Sequence, residues 1–157
     1  MTLRIFTSRY SNPNVPESGL ILVGITRYPP RFRLAYELKA NLFDLAPTPE
    51  MLQVAKEGNG RARFATAYLA RLNRIGVAEI IRQLHGVQGD GSGLVLLCYE
   101  DVTTGEHWCH RLLLGDWLRE HARLVITELP DPGKKTGRKK TSRNRQDDLW
   151  WNPTERN

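Results

Sequence analysis

The sequence has few cysteines and no long apolar run. No stretch approaches the roughly 18 uninterrupted apolar residues that a membrane-spanning helix requires. The chain begins with strand-like sequence instead of the apolar segment of a secretory signal. Two cysteines are too few for a disulfide scaffold, and free thiols in a reducing compartment are buried fillers, metal ligands or catalytic groups. We therefore expect a cytoplasmic protein without a membrane contact.

Acidic residues are scarce near the C-terminus. Residues 129–157 carry eight basic and four acidic side chains, whereas residues 1–128 carry 15 and 13. Seven of these basic residues follow one another without an intervening acid, namely Lys134, Lys135, Arg138, Lys139, Lys140, Arg143 and Arg145. Such a segment lacks the apolar surface that offsets the entropy of ordering a chain. We predict one domain over residues 1–129 and a disordered basic tail over residues 130–157.

The apolar residues of the first part alternate between strand-like and helix-like patterns. Short apolar runs predict strands over residues 3–7, 20–25, 94–98 and 124–127. Apolar spacings of three and four predict helices over residues 49–56, 62–84 and 109–121, and Gly76 divides the second into two helices or one bent helix. Strands that alternate with helices favour an α/β fold, a small mostly parallel sheet with helices packed on its faces.

Polar side chains follow three of the predicted strands. They are Ser8 and Arg9 after the first strand, Arg27 and Tyr28 after the second, and Cys98 and Glu100 at the end of the third. Ligands of open α/β sheets bind beyond the carboxyl ends of the strands. The following helix begins with Cys109, His110 and Arg111, so its positive dipole end would face the same edge. We expect the three arginines and this helix start to bind a small anion.

The candidate chemistry depends on the cysteines. A thiol at a helix start beside an arginine favours the thiolate, so Cys109 is the predicted nucleophile, with a packed and inert thiol as the alternative. Cys98 is either part of the site or a packed thiol. Glu100 is an acid or base, a group that orients His110, or a solvated loop residue, and His110 is a base or a hydrogen-bonding element.

A metal site has to be weighed because two cysteines, His107, His110 and Glu100 fall within thirteen residues. Zinc ligands usually come in pairs separated by two to four residues, and the sequence has no such Cys-x-x-Cys or His-x-x-x-His pair. We therefore expect no metal and no cofactor. The glycine-rich segment 89–93 precedes a strand, so we interpret it as a turn and not as a phosphate-binding loop.

The motif Cys98-x-Glu100 at the end of an apolar strand, followed by Cys109, His110 and Arg111, resembles the bacterial family catalogued as domain of unknown function 488. The resemblance extends over most of residues 3–128 and includes the Arg- and Pro-rich segment after the second strand. It implies an α/β fold and a site around these five residues, and it brings no settled activity. Many members carry a His-Ser pair where this chain has Thr7 and Ser8, so no role of that histidine is carried over.

Two functions are compatible with these patterns. The first is an enzyme that acts on a nucleotide-like or phosphorylated substrate. The second is a noncatalytic module in which the basic tail and the Arg- and aromatic-rich segment 27–33 hold the phosphates of DNA or RNA. A weaker third alternative is an interaction subunit that docks a partner through Trp150 and Trp151.

Overall fold

The computed structural model describes residues 2–100, 102 and 108–133. Its strands are β1 (Ile5–Arg9), β2 (Ile21–Gly24), β3 (Ala40–Asn41), β4 (Leu94–Cys98) and β5 (Ile126–Glu128). Its helices are α1 (Pro49–Val54), α2 (Gly60–Ile75), α3 (Val77–Gln88) and α4 (His110–Ala122), with a 3₁₀ turn over Phe43–Leu45. The predicted α/β fold is confirmed, and the predicted disordered tail from residue 134 onward lies outside the described residues.

The five strands form one parallel sheet in the order β3-β2-β4-β1-β5. The strand β4 is central, and all five of its residues are buried. Its alternate side chains serve opposite faces of the sheet. Leu94 and Leu96 join the core beneath the helices, whereas Val95 and Leu97 join a second core with loop residues such as Tyr36. The polar residues at the end of β4 therefore lie in the middle of the sheet edge.

Local sequence signals explain where several helices begin and end. Thr48 caps α1, and its hydroxyl accepts a hydrogen bond of 3.2 Å from the backbone N–H of Met51. Gly76 separates α2 from α3 with a φ of 91°, a conformation that glycine adopts without steric cost. The prediction that residues 62–84 form two consecutive helices is thus confirmed over its bent-helix alternative.

No helix among the described residues has the length and apolar character needed to cross a bilayer.

Residues 130–133, which we assigned to the tail, contact the loop after β1. The carbonyl oxygen of Pro130 accepts hydrogen bonds from the amides of Asn12 and Asn14 at 3.1 and 2.7 Å. The ordered contacts of the domain therefore continue to residue 133.

Candidate active site

The end of β4 and the start of α4 bring two thiols and an imidazole together. Cys98 is the last residue of β4, Cys109 is the N-cap of α4 and His110 is its first residue. The distance from Nδ1 of His110 is 3.4 Å to Sγ of Cys98 and 3.8 Å to Sγ of Cys109. All three atoms lie within 4.8 Å of one another, and none of the three residues is more than 1% exposed. We call these three residues the Cys-Cys-His cluster.

The ring of His110 is held in one orientation by β2 and α2. Its Nε2 lies 2.7 Å from the carbonyl oxygen of Ile25. Because a carbonyl only accepts hydrogen bonds, Nε2 carries a proton and donates it. The ring of Tyr68 meets the imidazole edge-on, with centroids 5.4 Å apart. Nδ1 therefore faces the two sulfurs.

The two thiols differ in their tendency to ionise. Burial and the neighbouring sulfur of Cys109 raise the pKa of Cys98 well above its ordinary value. Burial would also raise the pKa of Cys109. The hydrogen bond from Cys98 and the positive charges of Arg111 and His110 outweigh it and hold that pKa well below its ordinary value. Cys109 is therefore the more acidic of the two thiols.

Arg111 places a fixed positive charge beside the cluster. It is 1% exposed, and its Nε and Nη2 donate to Oε1 of Glu128 at 3.0 and 2.8 Å. The hydroxyl of Thr7 donates to Oε2 of the same carboxylate at 2.6 Å. Within the part of the chain that the structure describes, Nη1 of Arg111 is buried without a hydrogen-bond partner. This nitrogen carries two N–H groups, so the guanidinium retains donors that no described residue uses.

Glu100 lies in the same neighbourhood. It is 1% exposed, so it is buried and not a solvated loop residue. Its negative charge contributes to the raised pKa of Cys98, after the larger effects of burial and of Cys109. The side chains of Cys98, Glu100, Cys109, His110 and Arg111 are therefore all buried at the carboxyl end of the sheet.

Three other predicted anion-binding residues, Ser8, Arg9 and Arg27, form hydrogen bonds within the protein. Arg9 forms a bidentate ion pair with Asp131 at 2.7 and 3.0 Å, in which both side chains are at most 5% exposed. Arg27 donates to the carbonyl oxygen of Pro47 at 2.9 Å. Ser8 accepts a hydrogen bond from the amide of Asn12 at 2.8 Å. The structure thus gives Arg9 and Arg27 protein partners of their own.

Sequence reasoning missed the two acids that neutralise the arginines. Glu128 ends β5 and Asp131 follows it by three residues. A signal was present for Glu128, because it directly follows the last predicted strand, as Ser8 and Arg9 follow the first predicted strand. The arginines Arg9 and Arg111 each receive one of these acids.

The comparisons with known proteins give a family and no activity. The family model described as "Active DUF488-N3 subclade" matches residues 5–122. The chain belongs to the DUF488 family, as its Cys98-x-Glu100 and Cys109-His110-Arg111 motifs predict. No curated protein and no solved structure gives a significant match.

Proposed function

We propose that this DUF488 member is an enzyme that acts on a nucleotide-like or phosphorylated substrate at the site of Cys98, Glu100, Cys109, His110 and Arg111. The observation that carries the proposal is the burial of all five side chains at the carboxyl end of the central parallel strand. This is where open α/β sheets bind ligands. Burying a carboxylate, a guanidinium and an imidazole costs desolvation free energy that aliphatic side chains would not. A catalytic role for these side chains explains why the protein buries them at this cost, whereas a purely structural role does not.

Each residue has a role that its surroundings support. The unused Nη1 of Arg111 suits an anionic oxygen, because a guanidinium in a fixed ion pair loses little freedom on binding. Glu100 and His110 are the groups able to transfer protons. The sulfur of Cys109 lies at the N-cap of a 13-residue helix, where a thiolate serves as a nucleophile or as a ligand of a metal ion.

The test begins with binding. Nucleoside phosphates and sugar phosphates, each beside its unphosphorylated counterpart, are screened for a rise in the melting temperature of the full chain. A phosphorylated compound at 100 times its Kd should stabilise the protein by about 2.7 kcal/mol. Arg111→Lys should weaken its binding, and the exposed Arg82→Lys is the matched control.

Turnover of the binding compound is then followed by phosphorus NMR and mass spectrometry. Wild-type protein should convert it, whereas Glu100→Gln and Cys109→Ser should bind it without conversion. Failure of every phosphorylated compound to bind, or binding that Arg111→Lys leaves unchanged, would refute the assignment.

A second candidate function, sequence-independent binding of DNA or RNA, is favoured by the exposed aromatics of the 27–33 segment. Tyr28 is 48% exposed and Phe32 is 38% exposed, so neither is sealed against the sheet. Tyr28 lines a cleft of about 500 Å³ together with Arg31 and Lys56. Aromatic faces beside cations stack on unpaired bases. Tyr28→Ala should weaken binding of a single-stranded oligonucleotide, while Phe43→Ala, another exposed aromatic, should not.

A further inference from the structure

We propose that Cys98, Cys109 and His110 bind a zinc ion. Their three donor atoms lie within 4.8 Å of one another, although the residues come from the end of a strand and the start of a helix. The expectation of no metal site was based on the absence of closely spaced ligand pairs in the sequence. In the fold, Cys98 approaches Cys109 and His110 from a different element, so the spacing along the sequence does not exclude a site. The inference goes beyond the proposed function, since zinc binding does not depend on which substrate the site accepts.

The distances fit a tetrahedral ion. With Zn–S of about 2.3 Å and Zn–N of about 2.0–2.1 Å, tetrahedral angles require S···N separations of about 3.5–3.6 Å. The observed separations from Nδ1 of His110 are 3.4 Å to Cys98 and 3.8 Å to Cys109, one on either side of that value. These two separations therefore need to change by only a few tenths of an ångström, and the same ion would hold the two sulfurs, which lie within 4.8 Å of each other, about 3.8 Å apart.

The imidazole is already oriented as a metal ligand. Ligating histidines usually donate their second ring N–H to a carbonyl or carboxylate, which fixes the ring and raises its basicity. His110 donates Nε2–H to the carbonyl oxygen of Ile25 at 2.7 Å, and its Nδ1 lies on the side of the two sulfurs. This hydrogen bond and the edge contact with Tyr68 hold the ring toward the sulfurs before any metal arrives.

The ligand types and the neighbouring charges favour zinc. Two thiolates and an imidazole are soft or borderline ligands that suit zinc and exclude magnesium and calcium. Two thiolates balance the charge of a divalent ion. The nearby positive charge of Arg111 is balanced by its bidentate pair with Glu128. The ion and the guanidinium of Arg111 would therefore each have negatively charged partners of their own.

Three protein ligands leave one position of a tetrahedral ion open, as in catalytic zinc sites. Zinc deaminases of nucleobases use His, Cys and Cys ligands with a glutamate that is not a ligand and that transfers protons. Glu100 is buried two residues after Cys98 and suits that role. If the proposed function holds, the ion would lower the pKa of a water molecule at this open position, and Glu100 would accept and donate protons there.

The test uses the full chain, reduced, freed of metal by a chelator and titrated with Co²⁺ without oxygen. One equivalent should bind with the thiolate-to-cobalt charge-transfer band of a tetrahedral site, and Zn²⁺ should displace it. Cys98→Ser, Cys109→Ser and His110→Gln should each weaken binding by more than about 100-fold, beyond the loss of an outer-shell partner. The exposed His85→Gln is the matched control and should bind as wild type.

Absence of the charge-transfer band in wild-type protein would overturn the inference, whether or not the variants fold. So would binding that the cysteine substitutions leave unchanged in variants with wild-type circular dichroism. If the metal-free protein binds a phosphorylated compound but no Co²⁺, the zinc inference is refuted and the proposed function stands. If the protein binds Co²⁺ but no phosphorylated compound, the proposed function is refuted and the zinc inference stands.

Discussion

Removing Glu128 should destabilise the protein far more than removing an exposed acid. The carboxylate accepts every hydrogen bond that the guanidinium of Arg111 makes to described residues. The side chain of Arg111 is 1% exposed, and its guanidinium cannot shed its proton. Glu128→Ala would therefore leave a buried cation without its hydrogen-bonded carboxylate, a change that costs about 3–5 kcal/mol. The side chain of Glu128 is itself 28% exposed, so water can enter in its place. We expect the lower end, about 3 kcal/mol.

The assay is urea or thermal unfolding followed by circular dichroism. A loss of about 3 kcal/mol corresponds to a fall of about 6–12 °C in melting temperature for a chain of this size. Glu79→Ala, which breaks the exposed pair between Glu79 and Arg82, is the matched control and should leave the melting temperature nearly unchanged. The double variant Glu128→Leu with Arg111→Met should recover most of the loss, because it removes the charge together with its partner.

Two results would refute this reasoning. Equal effects of Glu128→Ala and Glu79→Ala would mean that the Arg111 pair contributes no more than a surface pair. A double variant that is less stable than Glu128→Ala alone would mean that the guanidinium of Arg111 stabilises the fold without the carboxylate.

Three further predictions concern the fold and the tail. Gly24→Ala should cost about 1–3 kcal/mol because its Cβ would overlap buried side-chain oxygens, whereas Gly86→Ala, with open space in α3, should stabilise by about 0.5–1 kcal/mol in the same urea experiment. Burial raises the pKa of Tyr10 and of Tyr68, so the contribution of these two residues to stability should be constant below about pH 10 and fall above it, and their tyrosinate absorbance should appear as the chain unfolds. Deleting residues 134–157 should flatten the salt dependence of DNA or RNA binding, and an unchanged slope in a salt titration would exclude the tail as the binding segment.

The sequence predicted the central part of the site because that part follows from topology. Apolar strands and helices in alternation imply a parallel sheet, and the carboxyl ends of parallel strands share one edge. Cys98 at the end of β4 and Cys109 at the start of α4 therefore had to approach each other. The two-residue strand β3 was not predictable, because it is too short to show a pattern and exists through its pairing with β2.

The partners of the arginines could not be predicted from spacing. The guanidinium of Arg27 extends to backbone carbonyls near α1, and no sequence pattern records which carbonyl a long side chain reaches. Asp131 lies in the segment that its composition assigned to the tail. Its ion pair with Arg9 spans 122 residues of sequence and follows only from the pairing of β1 with β5.

The short strand β5 controls the electrostatics of the whole edge. It pairs with β1 through three residues, and this places Glu128 opposite Thr7 and leaves Asp131 within reach of Arg9. Both buried arginines are then paired with an acid from the four-residue segment 128–131, so neither offers a full positive charge to a ligand. Among the described residues, Nη1 of Arg111 is buried without a hydrogen-bond partner next to the Cys-Cys-His cluster. We therefore expect this sheet edge to select a small substrate by whether one of its oxygens fits beside Nη1, whereas the proposed binding of a polyanion by the basic segments would depend on total charge.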